Sequence, residues 1–157
     1  MERISRVVLL AALTLGTTAN ADAPDTMRVD YFHSGNNTTE MFSLDQVVVE
    51  PLPWTGNMSQ PIDKTSRGKY LFEIINPDNG NVAWSRSFSS IYGEWETTGE
   101  SRRINRAFHE SVRFPAQEST FELVIKKRGP GNEFAEAWRI ELDPTDVLVH
   151  RESAMFA

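Results

Sequence analysis

Tyr70-Leu71-Phe72-Glu73-Ile74, then Pro77-Asp78-Asn79-Gly80, then Val82-Ala83-Trp84-Ser85-Arg86-Ser87-Phe88 is the stretch that decides the fold. Tyr70, Phe72 and Ile74 alternate with Leu71 and Glu73, and Val82, Trp84 and Phe88 resume the alternation past the turn, with Arg86 breaking it. Successive side chains of a strand point to opposite faces, so a period of two marks a strand with one buried face. Proline, asparagine and glycine between two such runs are turn residues: proline presets φ, and the other two accept conformations that most residues avoid. The stretch predicts a β-hairpin.

Its second strand runs into residues 88–98, Phe-Ser-Ser-Ile-Tyr-Gly-Glu-Trp-Glu-Thr-Thr. Large aromatics beside Gly93 predict a corner where two layers of a core meet. Thr97-Thr98-Gly99-Glu100 has the spacing of a capping box, and a short helix is expected from there to about Arg106, with Ile104 and Phe108 four apart on one face.

Outward from the hairpin the same period recurs. Residues 22–26 read as a loose tail, and Met27, Val29 and Tyr31 alternate with Arg28 and Asp30. Ser34-Gly35-Asn36-Asn37 turns the chain into a more apolar strand over 42–50, with Leu44 and the run Val47-Val48-Val49, which Pro51 and Pro53 should limit. Residues 54–68 form a long loop without periodicity. Past the corner, Phe108, Val112 and Phe114 alternate up to Pro115, and Phe121, Leu123 and Ile125 share one face. Gly129-Pro130-Gly131-Asn132 turns into Phe134, Trp138, Ile140 and Leu142, and a short piece over 147–149 follows Pro144. Seven or eight short strands and one small helix predict an all-β, antiparallel β-sandwich, immunoglobulin-like or jelly-roll-like. Trp84 and Trp138, on alternating faces, are expected in its core.

The first residues read as an export leader. Arg3 and Arg6 precede an apolar run over 7–15, shorter than the roughly 20 residues a spanning helix needs. Ala19-Asn20-Ala21 is a signal-peptidase pattern, which places cleavage between Ala21 and Asp22 and leaves one domain over 22–157. An exported chain, periplasmic or secreted, without membrane attachment after cleavage, is expected. Its formal charge moves from −6 to −7 when the leader's Glu2, Arg3 and Arg6 are removed, which disfavours nucleic acid and anionic lipid as partners. With no cysteine, thiol catalysis and cysteine-ligated zinc are excluded and the fold is held by its core alone.

Catalytic equipment is not apparent. His109-Glu110 begins the zinc pattern His-Glu-x-x-His, but Val112 and Arg113 stand where the second ligand is needed, and the alternation around it predicts a strand rather than a helix. His33, His109 and His150 are scattered and expected at the surface. No catalytic, metal or cofactor-binding residue is assigned, and no cofactor is expected. Trp54, Tyr92 and Trp95, outside the plainly alternating faces, are the candidate ligand-binding residues, as stacking platforms for a glycan or peptide. Trp95, at the Gly93 corner, is also expected to contribute to stability.

Several stretches together carry a family resemblance. Arg28 to Asn36 (Arg-Val-Asp-Tyr-Phe-His-Ser-Gly-Asn), Val48-Val49-Glu50-Pro51-Leu52-Pro53-Trp54, Gly68-Lys69-Tyr70-Leu71-Phe72-Glu73, residues 88–97, Phe108-His109-Glu110-Ser111-Val112-Arg113-Phe114-Pro115 and Ile140-Glu141-Leu142-Asp143-Pro144 resemble, in order, the N-terminal domain of the IgA-peptidase family (metallopeptidase family sixty-four). The resemblance implies a β-sandwich placed before a separate zinc peptidase domain, whose catalytic residues have no matching positions here. It points to a non-catalytic accessory domain with a peptidase domain, a protein or a glycan as partner. The alternatives are a truncated or split part of a zinc metallopeptidase and a free-standing carbohydrate-binding module.

Overall fold

The computed structural model describes residues 23–153. The expected leader over 1–21 and its Ala21-Asp22 cleavage point lie outside the described residues. The hairpin forms as predicted: β3 (Tyr70–Ile75) pairs antiparallel with β4 (Val82–Phe88), Tyr70 opposite Phe88 and Ile74 opposite Trp84. The other side of β3 pairs with β6 (Phe121–Arg128), and β6 pairs with β7 (Phe134–Leu142), giving a sheet ordered β4-β3-β6-β7.

The second sheet is built on β1 (Asp25–Gly35), flanked by β2 (Glu40–Pro53) and β5 (Arg106–Pro115), with β8 (Val149–Arg151) outside β2. The protein is an all-β sandwich of these two sheets with one five-residue helix, α1 (Ile91–Trp95). β8 departs from the antiparallel expectation. It lies parallel to β2, Val47 opposite Val149, because the chain crosses after Leu142 from the sheet of β7 to the sheet of β1 rather than turning back.

The core follows the predicted alternation. Met27, Val29 and Tyr31 of β1 face Phe72 and Ile74 of β3 and Leu123 and Ile125 of β6 in one buried cluster. Trp84 is 2% exposed within it, whereas Trp138 is only partly buried, its ring stacked on Phe42 at 5.7 Å. On the outer face of the β1 sheet, Arg28 bridges Asp30 (2.9 Å) and Glu50 (2.6 Å), and Arg113 joins the same Glu50 from β5.

Three expectations are corrected. The tail is tied down from Pro24: Trp54 N–H donates to Pro24 C=O (2.7 Å) and Ala116 N–H to Asp25 C=O (2.8 Å), so β1 begins inside the segment expected to be loose. Pairing of β2 likewise continues to Pro53, opposite Asp25, because a register shift there absorbs the prolines. The helix lies before Thr97, not after it. Its N-cap is Ser90, whose hydroxyl accepts from Gly93 N–H (2.9 Å). Thr97 turns its hydroxyl back to Glu94 C=O, and Glu100 is engaged by Trp95 Nε1 (2.7 Å) and Arg106 (2.8 Å), so the expected capping box does not form.

Candidate functional site

The corner holding Tyr92 and Trp95 closes one end of the sandwich, and the polar side chains of the interior converge there. Strand parity brings them in. On β1 the inward series Met27, Val29, Tyr31 continues to His33, and on β5 the series Val112 and Phe114 continues backwards to Glu110. Register sets Tyr31 opposite Glu110, Gly35 opposite Glu40, and Tyr70 opposite Lys127.

His33, whose side chain is 1% exposed, lies between two carboxylates. Nε2 is 2.8 Å from Glu40 Oε1 and Nδ1 is 3.1 Å from Glu110 Oε2. An ionised carboxylate only accepts, so satisfying both contacts requires both ring nitrogens to donate, and the ring is an imidazolium. Its faces are covered by Phe42 at 4.1 Å and Tyr92 at 3.9 Å, both nearly parallel, and Tyr70 meets it edge-on. Two aromatic faces against a desolvated cation add electrostatic attraction to the packing.

The network extends outward from each carboxylate. Glu40 also accepts from Tyr70 OH (2.8 Å) and Lys127 Nζ (2.5 Å), and Lys127 continues to Glu96 (2.9 Å), which pairs with Lys69. Glu110 accepts from Tyr31 OH (3.3 Å) and from Tyr92 N–H (3.2 Å), tying the first turn of α1 to β5. His33, Lys127 and Lys69 balance Glu40, Glu110 and Glu96, three charges of each sign. A network whose charges are balanced, with each carboxylate beside a cation, avoids the large penalty of an unpaired buried charge.

Burial would lower the pKa of His33, but hydrogen bonds to Glu110 and Glu40 and their charges outweigh it, so the net shift is upward. Burial would raise Glu40, and bonds from His33, Lys127 and Tyr70 bring it down to about 2. Tyr92 is pushed up to about 12 by burial and by the charges of Glu40 and Glu96. A raised histidine contributes stability fully present below its unfolded value, near 6.5, and lost as pH rises through the folded value. The lowered Glu40 contributes stability present above about 4.5 and lost as pH falls toward about 2. The network is therefore most stabilising between those limits. The groups facing His33 are Glu110, Glu40, Tyr31, Tyr70, Tyr92 and Lys127, and none of the three tyrosines ionises in the neutral range. We expect the His33 ring protons in an NMR titration to keep imidazolium shifts above pH 6.5. Neutral shifts at pH 6 contradict the arrangement.

The structure places the three candidate ligand-binding aromatics as follows. Tyr92 is 0% exposed, its hydroxyl donating within reach of Asn36 C=O (2.7 Å) and Thr39 C=O (2.9 Å) and one ring face covered by His33, so it offers no platform. Trp54 is half-buried, set edge-on to Trp84 at 5.4 Å, and Gly56 lies so close to its ring that an added Cβ would stand 2.5 Å away. Trp95 is half-buried against Tyr92 and Phe108, with its indole N–H spent on Glu100. Trp95→Ala is expected to cost about 1–3 kcal/mol, less than a full core deletion because part of the ring meets solvent. An unchanged denaturation midpoint would move Trp95 back to the surface.

His109 projects outward, 51% exposed and 3.0 Å from Asp45, while its neighbour Glu110 projects inward. The two belong to opposite faces of β5 and share no site. His150 is exposed on β8. Among the described residues no three His, Asp or Glu side chains are arranged to hold a metal ion, and both nitrogens of His33 are already taken. Sequence reasoning left His33 at the surface. The signal that locates it was the parity of its own strand.

A family model described as Peptidase M64 N-terminus matches residues 19–139, from before β1 into β7. A comparison with curated proteins returns no match. The matched segment takes in β1 to β6, the start of β7, α1 and every member of the His33 network, and by that match the chain belongs to the Peptidase M64 N-terminus family.

Proposed function

We propose that this chain is an exported, non-catalytic accessory domain of the M64 peptidases, acting by holding or positioning a peptidase domain or its protein substrate. The observation that carries the reading is the match to the N-terminal domain family over 19–139, which covers most of a sandwich whose His109-Glu110 pair is split across a strand. A zinc hydrolase needs its ligands on one face of one site with an open coordination position. The His33 network instead supplies rigidity: it joins five strands and the helix, with the imidazole at its centre 1% exposed and both of its nitrogens engaged by carboxylates. Export rests on the basic, apolar and small-x-small order of residues 1–21.

The test is hydrolysis of a casein or peptide substrate by the purified chain, with and without a chelator, and then with an M64 catalytic domain added in trans. No chelator-sensitive hydrolysis alone, together with a changed KM or a measurable complex with the added domain, supports the reading. Chelator-sensitive hydrolysis by the chain alone overturns it.

A further inference from the structure

The open side of the sandwich, between β7 of one sheet and β2 of the other, is not closed by a full strand. β8 pairs with β2 over residues 47–49, so among the described residues β2 before Val47 has β1 on one side and no strand on the other. Among the described residues β7 is the outer strand of its sheet, with a free edge along its length. Between them runs a groove of about 350 Å³ with an apolar floor of Leu44, Ile140, Leu142, Leu148 and Val149. Leu148 is 77% exposed at its side.

Its rim has one sign. Asp45, Glu141, Asp143 and Asp146 line it, with His150 the titratable base among the lining residues. Arg151 turns away to Pro144 C=O at 2.9 Å. Asp143 and Asp146 accept backbone N–H groups of their own turn, Thr145 and Leu148, which holds the acidic loop in place beside the floor. β7 is regular from Trp138 to Leu142, past the bulge at Ala137, and there its inward residues fall on the floor while Glu141 points outward.

We propose that this groove binds an extended polypeptide segment of alternating apolar and basic residues, added as a strand to the free edge of β7 at 138–142. Main-chain bonds to the edge supply affinity and the alternate side chains supply selection: apolar ones on the floor, Lys or Arg against the acidic rim. Charge complementarity commits the occupant, since an acidic segment meets four carboxylates of like sign, an uncharged one gains nothing from them, and a basic one is attracted to all four. The inference goes beyond the accessory-domain reading, and either can fail without the other.

The test uses the intact chain and two fluorescein-labelled octapeptides, Arg-Val-Arg-Val-Arg-Leu-Arg-Val and its counterpart with glutamate for every arginine. Saturable binding of the basic peptide, weakened by salt, is expected. Affinity should fall about tenfold or more in Leu148→Glu and in Asp45→Lys/Glu141→Lys, whose substituted positions are exposed and leave the fold intact. Amide shifts in the complex should centre on 138–142. Equal affinity for the two peptides, equal affinity of the variants, no saturation with the basic peptide, or shifts centred elsewhere each overturn the proposal.

Discussion

His33→Ala is expected to destabilise the fold by about 3–5 kcal/mol, the range for removing one partner of a buried ion network. Two effects combine. The substitution empties the slot between Phe42 and Tyr92, whose rings lie 4.1 and 3.9 Å from the imidazole, and it leaves Glu40 and Glu110 buried without their shared cation. Lys127 still serves Glu40, but for Glu110 there remain only Tyr31 OH and Tyr92 N–H, neither of which carries charge. Urea denaturation at pH 6 measures the loss. The triple variant His33→Ala/Glu40→Gln/Glu110→Gln should recover part of it, because it removes the stranded charges while leaving the cavity. A loss below about 1 kcal/mol for His33→Ala would place the network among exposed ion pairs, which contribute little.

Trp84→Ala should be comparably damaging, about 3–5 kcal/mol, as for a large core aromatic. The ring is almost fully buried, meets Trp54 edge-on at 5.4 Å, and carries the Arg86 guanidinium 4.0 Å above its centroid. Its indole nitrogen is buried without a hydrogen-bond partner among the described residues. Trp84→Phe therefore gives up area and no bond, and should retain more than half of the stability that Trp84→Ala loses. Trp95 is the contrast: its N–H is bonded to Glu100, so Trp95→Phe gives up that bond as well as area. Equal losses for Trp84→Phe and Trp84→Ala would mean that the nitrogen, not the ring, is what the core needs.

The corner shows why some features escape sequence reading. The capping-box spacing at Thr97 and Glu100 is real, but an N-cap works only where the backbone is ready to enter a helix and the acidic side chain is free. Here Glu100 is drawn to Trp95 and Arg106, and the helix starts instead at Ser90, where Gly93 fits beneath the Tyr70 ring; a Cβ on it would stand 2.8 Å from that ring. Trp138 shows a milder departure: the β7 alternation places it inward, but β7 is an edge strand, so only part of the ring is covered.

His33 was more legible than the surface expectation implies. Met27, Val29, Tyr31 and His33 form one period-two series, and the same parity carries Glu110 inward on β5 and Lys127 on β6. Parity says that a charged group points inward, but not that its partner is there. His33 and Glu110 are 77 residues apart, and their meeting depends on the register of β1 with β5.

By itself the sequence determined the strands, the turn between β3 and β4, the apolar members of the core and the family, because each is written in local alternation, turn residues or ordered stretches of resemblance. Only the tertiary structure decided where the helix begins, that β8 lies parallel to β2, that the candidate aromatics are covered, and that six charges balance at one end of the sandwich. Each of those depends on which strands become neighbours and in what register, and the pairing energy that selects a register is summed over residues far apart in the chain.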